Sequence, residues 1–226
     1  MTGESNDNEA AQRLARVCDR IDRAACNAGR KSEDVVLIAV SKTQGTDDIV
    51  PLIHAGQRVF GENRIQEAHA KWPALREVYQ DISLHMVGQL QSNKAEEAVA
   101  LFDFIHSLDR PSLLMAVARA MDKLGRHPPC FIQVNIGDES QKGGCAIDAL
   151  PALIAAAQGA GIPLAGLMCV PPANVEAAPY FALLAKIARD HDLTGLSMGM
   201  SGDYETAVML GATHIRVGTA LFGARK

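Results

Sequence analysis

Eight short apolar segments, each separated from the next by an amphipathic or alanine-rich helical segment, predict a single (β/α)8 barrel. Strands joined through a helix pair in parallel, because a crossover of that length returns the chain to the same end of the sheet. The length of 226 residues fits one such barrel without a second domain. An open doubly wound sheet is the competing architecture. Its first turn is a Gly-rich loop opening a helix, and the SKTQGTDD that follows the first strand here is not GxGxxG.

In chain order, residues 1–8 are polar and acidic and read as a disordered tail ahead of a barrel domain over 9–226. Leu14, Cys18, Ile21, Ala25 and Ala28 then recur at three- and four-residue steps, and Gly29 supplies a helix stop. The strands are expected at 35–42, 59–61, 82–88, 104–108, 130–136, 164–170, 196–199 and 214–217. The helices between them are expected at 48–56, 64–79, 92–101, 111–125, 147–159, 175–191 and 203–210. Pro51 falls early in the first of these, where it costs little if Asp47 or Asp48 is the N-cap. No helix is expected after the eighth strand, so the N-terminal helix is expected to cover that gap in the outer ring.

Composition narrows the function classes. Hydrophobic residues make up 48% of the chain and the formal net charge is −4, which gives no electrostatic case for nucleic acid or a membrane surface. No signal-peptide core or membrane-length apolar run is present, so a cytoplasmic protein is expected. The five cysteines are scattered without a CxxC pair and read as reduced thiols. The seven histidines form no HxH or HExxH group, so no metal ligand is expected.

Barrels bind ligands at the C-terminal ends of their strands, which makes the residue after each strand informative. Strand one runs uncharged through VVLIAVS and then delivers a single amine, Lys42. A lysine past a strand end is commonly a solvated flank, whereas a neutral amine held there attacks an aldehyde to form a Schiff base. Strand two is followed by Glu62, Asn63 and Arg64, and strand three carries His85 before GQLQSNK. After strand seven comes the small-residue loop Met200-Ser201-Gly202, which opens a helix, and after strand eight come Gly218 and Thr219. Those two loops form the usual phosphate site of this fold, through backbone N–H groups and a hydroxyl. Arg216 lies inside an apolar stretch and needs a partner, either a barrel carboxylate or a ligand atom at the mouth.

The motifs FGENRIQE (60–67), HMVGQLQSNK (85–94), SLDR (107–110), LSMGMSGD (196–203) and RVGTALFGAR (216–225) stand in register over most of the chain. In these motifs the sequence resembles the pyridoxal-phosphate homeostasis proteins, the YggS/PROSC family, which share the fold type III barrel of the alanine racemase N-terminal domain. The resemblance implies pyridoxal 5'-phosphate (PLP) as cofactor, held as an internal aldimine on Lys42. It also implies that Ser201, Gly218 and Thr219 hold the phosphate, that Arg216 faces the pyridine nitrogen, and that Asn63 and His85 lie beside the ring. The segment GDESQKGG is looser than the family pattern and LMCVPP carries an unassigned cysteine; Lys142 reads as a solvated loop lysine.

Arginine in place of a carboxylate leaves the pyridine nitrogen unprotonated and weakens the electron sink, which suits storage or delivery of PLP better than turnover. A racemase of this barrel class also needs a second base from a separate β-domain, for which residues are lacking after Lys226. The expected function is therefore non-enzymatic PLP homeostasis by a monomer, with no catalytic residue and with apo PLP-dependent enzymes as candidate recipients. A PLP-dependent racemase or lyase of the same barrel class is the alternative. A Schiff-base aldolase, in which Lys42 attacks a sugar-phosphate carbonyl, is a third reading and predicts a colourless protein.

Overall fold

A computed structural model of the chain describes residues 2–223, with side chains from Asn6 onward. Its strands β1 (Val36–Val40), β2 (Val59–Glu62), β3 (Ser83–Met86), β4 (Phe104–Leu108), β5 (Cys130–Val134), β6 (Leu164–Cys169), β7 (Gly195–Met200) and β8 (His214–Val217) form a closed parallel barrel in sequence order. The ring closes where β8 pairs with β1, with Ile38 opposite Arg216. Around it run α1 (Thr2–Asn27), α2 (Thr46–His54), α3 (Ile65–Val78), α4 (Ala95–Leu101), α5 (Pro111–Leu124), α6 (Leu150–Gly159), α7 (Ala178–Asp190), α8 (Tyr204–Met209) and α9 (Thr219–Phe222).

The predicted strands are all present, and the differences lie at their ends. Strand one stops at Val40, so Lys42 stands in the turn beyond it. β5 stops at Val134 and α6 starts at Leu150, because Cys145 bonds back onto the strand, its N–H to Gln133 O at 2.8 Å and its carbonyl to Asn135 N at 2.9 Å. A short helix, α9, follows β8 where none was expected.

The expected disordered tail is helix from Thr2 on, with Met1 outside the described residues. One anchor of that segment lies at Pro51. The N-cap of α2 is Gly45, not Asp47 or Asp48, so Pro51 sits in the helix interior without an N–H to offer the Asp47 carbonyl. Asn6 supplies the missing donor, its Nδ2 reaching Asp47 O at 3.3 Å, while Asp7 meets His54 Nδ1 at 3.0 Å.

As expected, α1 covers the gap in the outer ring, packing on α2, α8 and α9. Its buried face is Ala10, Leu14, Val17, Ile21, Ala24 and Ala25; Cys18, expected on that face, is exposed. Arginines complete the attachment: Arg30 donates to Val208 O at 2.7 Å and Arg13 to Phe222 O at 3.1 Å, satisfying carbonyls at the ends of α8 and α9. Arg20 pairs with Glu205 and lies 5.5 Å over the Tyr204 ring.

Strand alternation divides the interior into two regions. Outward residues such as Ala39, Phe60, Leu84, Ile105, Ile132, Leu167 and Ile215 join one core with the helices. Inside the barrel the lower half is plugged by rings: His85 stacks on Phe104 and His106 on Phe131, each at 4.4 Å between centroids, and His214 meets Phe131 edge-on at 4.9 Å. Above the plug, at the C-terminal end of the strands, there is open space.

Candidate functional site

That open end holds a cavity of about 430 Å³, lined among others by Val40, Lys42, Asn63, Ser201, Arg216, Gly218 and Thr219. Its size suits a small cofactor. The β8–β1 seam explains much of the convergence, since it sets Lys42 beside the Gly218 loop although the two stand near opposite ends of the sequence. Val87 and Val170 add apolar wall, and Met200 and Gly202 complete the rim near Ser201. Sequence reading placed Met200 and Gly202 in the strand-seven loop but did not single out Val87 and Val170, which inward strand alternation marks.

Ser201 and Gly218 form one wall as a unit. The Gly218 N–H donates to Ser201 Oγ at 3.1 Å, so the hydroxyl proton remains available to an acceptor in the cavity. Gly199, two residues earlier, has φ 92°, and a Cβ there would lie 2.5 Å from Ala207 Cβ. Only glycine lets α8 close on β7 and present the Ser201 loop. Asn63 is fixed in a similar manner by Gly88, where an added Cβ would lie 2.6 Å from Asn63 Cα.

Arg216 is 5% exposed and no carboxylate pairs with it among the described residues. Instead Nη1 donates to Ser197 Oγ at 2.6 Å and Nη2 to the Cys169 carbonyl at 2.8 Å. Burial lowers its pKa, with Cys169 and Asp203 acting in the opposite sense. The previously unassigned Cys169 is thus a backbone acceptor, and burial pushes its thiol up to about 12, leaving it protonated.

Behind Arg216 a chain of bonds runs down the barrel. Ser197 Oγ lies 2.9 Å from His106 Nδ1, His106 Nε2 lies 3.0 Å from His85 Nδ1, and His85 Nε2 lies 3.1 Å from Ser83 Oγ. Burial lowers the pKa of both histidines, His85 to about 3, so both are neutral near pH 7.

His85, expected beside the ring, stands apart from the other expected residues. It does not line the cavity but is 2% exposed in the ring plug, opposite Phe104, the first residue of β4. The other six expected residues, Lys42, Asn63, Ser201, Arg216, Gly218 and Thr219, come together at one cavity. Lys142 is also not the solvated lysine expected: its Nζ donates to Pro171 O at 2.8 Å and lies 2.6 Å from Glu139 Oε2.

The alanine racemase N-terminal domain family matches residues 13–226. The pyridoxal phosphate homeostasis protein of Escherichia coli K12 is 38% identical over 230 aligned residues, covering 96% of this chain and 97% of the relative. The chain belongs to the pyridoxal phosphate homeostasis proteins. The family member of Pseudomonas aeruginosa is 40% identical, with 95% of each chain covered. Among solved structures, PipY of Synechococcus elongatus with PLP bound superposes with a TM-score of 0.80 at 38% identity, over 95% of this chain and 100% of PipY. An alanine racemase from Clostridium difficile, 13% identical with a TM-score of 0.71, shares the fold.

Proposed function

We propose that this family member is a non-enzymatic, cytoplasmic PLP-binding protein that holds the cofactor through Lys42 and buffers or delivers it. The observation that carries the reading is Arg216, a buried guanidinium on the cavity wall whose two bonds go to neutral oxygens. A guanidinium only donates, so it pairs with an unprotonated pyridine nitrogen and withholds the proton that strong carbanion stabilisation needs. When bound, PLP supplies an aldehyde for the amine and an electron-withdrawing ring.

The residues present fit that group. Lys42 offers the amine, and Ser201 with the backbone of Gly202 and Thr219 offers a cradle for a phosphate, Gly218 holding the Ser201 hydroxyl through its N–H. Asn63 lines the cavity from the β2 side, where it would border the ring. Relatives named pyridoxal phosphate homeostasis proteins and a PLP-bound PipY support the same cofactor. Apo PLP-dependent enzymes are the proposed recipients, and a monomer is the proposed state.

The test is the visible spectrum of the purified chain with PLP, before and after borohydride, for the parent and Lys42→Ala. The expected result is a yellow band that borohydride removes and a mass increment on the Lys42 peptide, both missing in Lys42→Ala. A parent chain that stays colourless with PLP overturns the cofactor reading and favours the aldolase. Turnover of amino acids by the loaded protein overturns the non-enzymatic part and favours a racemase or lyase.

A further inference from the structure

The turn that carries Lys42 is strained, and α3 grips it. Gln44 N donates to Ser41 O at 3.0 Å, closing a turn over residues 41–44 in which Thr43 has φ 64°. A β-branched residue in the left-handed region is a genuine outlier that persists only where its surroundings over-determine it. Here the surroundings come from two adjacent turns of one helix. The Thr43 N–H donates to Glu67 Oε1. Lys71 Nζ donates to Ser41 O at 3.0 Å, to Gln44 O at 3.2 Å and to Glu67 Oε1 at 2.9 Å.

Behind that ammonium lies Glu62, fully buried, with Oε1 2.7 Å from Lys71 Nζ, 2.7 Å from Ser41 Oγ and 3.0 Å from Trp72 Nε1. Both ends of the turn and its strained middle are therefore fastened, while none of these bonds uses the Lys42 side chain. None of Glu62, Glu67 and Lys71 lines the cavity that Lys42 does.

We propose that Glu62, Glu67 and Lys71 are positioning residues that hold this turn in the conformation aiming the Lys42 amine into the cavity. The inference rests on the reading of Lys42 as the point of attachment. In that attachment the Lys42 nitrogen bonds to the cofactor's aldehyde carbon, and its two protons leave with the aldehyde oxygen as water. Borohydride then adds hydride to the C=N bond and gives a stable secondary amine.

The experiment measures the rate of borohydride-fixed attachment of PLP for the parent, Lys42→Ala, Glu67→Ala and the paired change Glu62→Gln with Lys71→Met, each with and without Thr43→Gly. Glu67 is partly exposed, so Glu67→Ala keeps the fold, and the paired change leaves no unpaired buried charge. Attachment is expected to slow about tenfold or more in both clamp variants. Thr43→Gly, which removes the strain, is expected to restore most of the rate without restoring the melting temperature. In the Lys42→Ala background, Glu67→Ala should leave the equilibrium affinity for PLP unchanged, because the clamp acts only through the amine.

Clamp variants that attach PLP at the parent rate overturn the proposal. So does a loss that Thr43→Gly fails to rescue, or one that persists in the Lys42→Ala background, since either marks general collapse of the site. A parent chain that never attaches PLP at Lys42 instead overturns the underlying reading of the site.

Discussion

Arg216 donates from Nη1 to the Oγ of Ser197 across 2.6 Å, and that single bond sets the direction of every hydrogen bond beneath it. A guanidinium has no acceptor, so the Ser197 hydroxyl turns its proton to His106 Nδ1. His106 then carries its proton on Nε2 and gives it to His85 Nδ1, and His85 gives its Nε2 proton to Ser83. The expected outcome is that both imidazoles are Nε2–H tautomers in the folded protein, which long-range proton–nitrogen NMR reads directly. Ser197→Ala should release His106 from that constraint and change its nitrogen shifts, while an Nδ1–H signal from His106 in the parent would contradict the chain.

The same burial makes acid a specific threat. His85 and His214 are pushed down to about 3 and about 4, and His106 well below its ordinary value, whereas the unfolded chain returns each to the ordinary imidazole value of 6.5. Below pH 6.5 the unfolded state therefore binds protons that the folded state refuses, so stability is full above that pH and is lost as pH falls towards the folded values. Each such histidine contributes a slope of about 1.4 kcal/mol per pH unit. Replacing His214 with Phe should lower the slope of unfolding free energy between pH 6.5 and 5 by about that amount, as followed by urea titration; an unchanged slope would show that His214 is charged in the fold.

Ser201 accepts one bond, from Gly218 N, which leaves its hydroxyl proton free to be donated to a phosphate in the cavity that it lines. Ser201→Ala should weaken PLP binding about 10- to 100-fold, the range for a hydrogen bond to a charged group. Pyridoxal, which has the aldehyde but no phosphate, should bind parent and variant alike. Equilibrium dialysis with both ligands separates the two cases.

Asn6 and Pro51 form a testable pair at the outer ring. Asn6→Ala should cost at most about 0.5–1 kcal/mol, the net value of one hydrogen bond, because water can reach the exposed Asp47 carbonyl. With Pro51→Ala in place, a backbone N–H can reach that carbonyl and the cost should vanish. Thermal unfolding of the four chains in this cycle gives the coupling, and additive effects would reject the pairing.

Much of this was legible in the sequence, for identifiable reasons. An uncharged run such as VVLIAV can be satisfied only by burial on both faces, so strand identity survived without tertiary information. The anchoring of residues 6 and 7 did not, because it depends on a carbonyl that a proline in another helix leaves short of a donor. Val17 took the buried position expected of Cys18, a shift of one residue that apolar counting does not resolve when both residues are apolar. For the site, the resemblance put His85 beside the ring but carried no depth along the barrel, and in the structure the side chain stacks in the plug on Phe104. Glu67 and Lys71 stand at i,i+4 spacing on a helix, which reads as an ordinary surface pair until the turn over residues 41–44 is seen packed against them.

The stack of imidazole and phenyl rings below the cavity makes the barrel a blind well rather than a tunnel. Cargo must depart through the opening by which it arrived, so loading and unloading compete for a single doorway. On the reading proposed above, an acceptor that takes the cofactor hand to hand would present its own empty site to the rim around Met200 and Gly202.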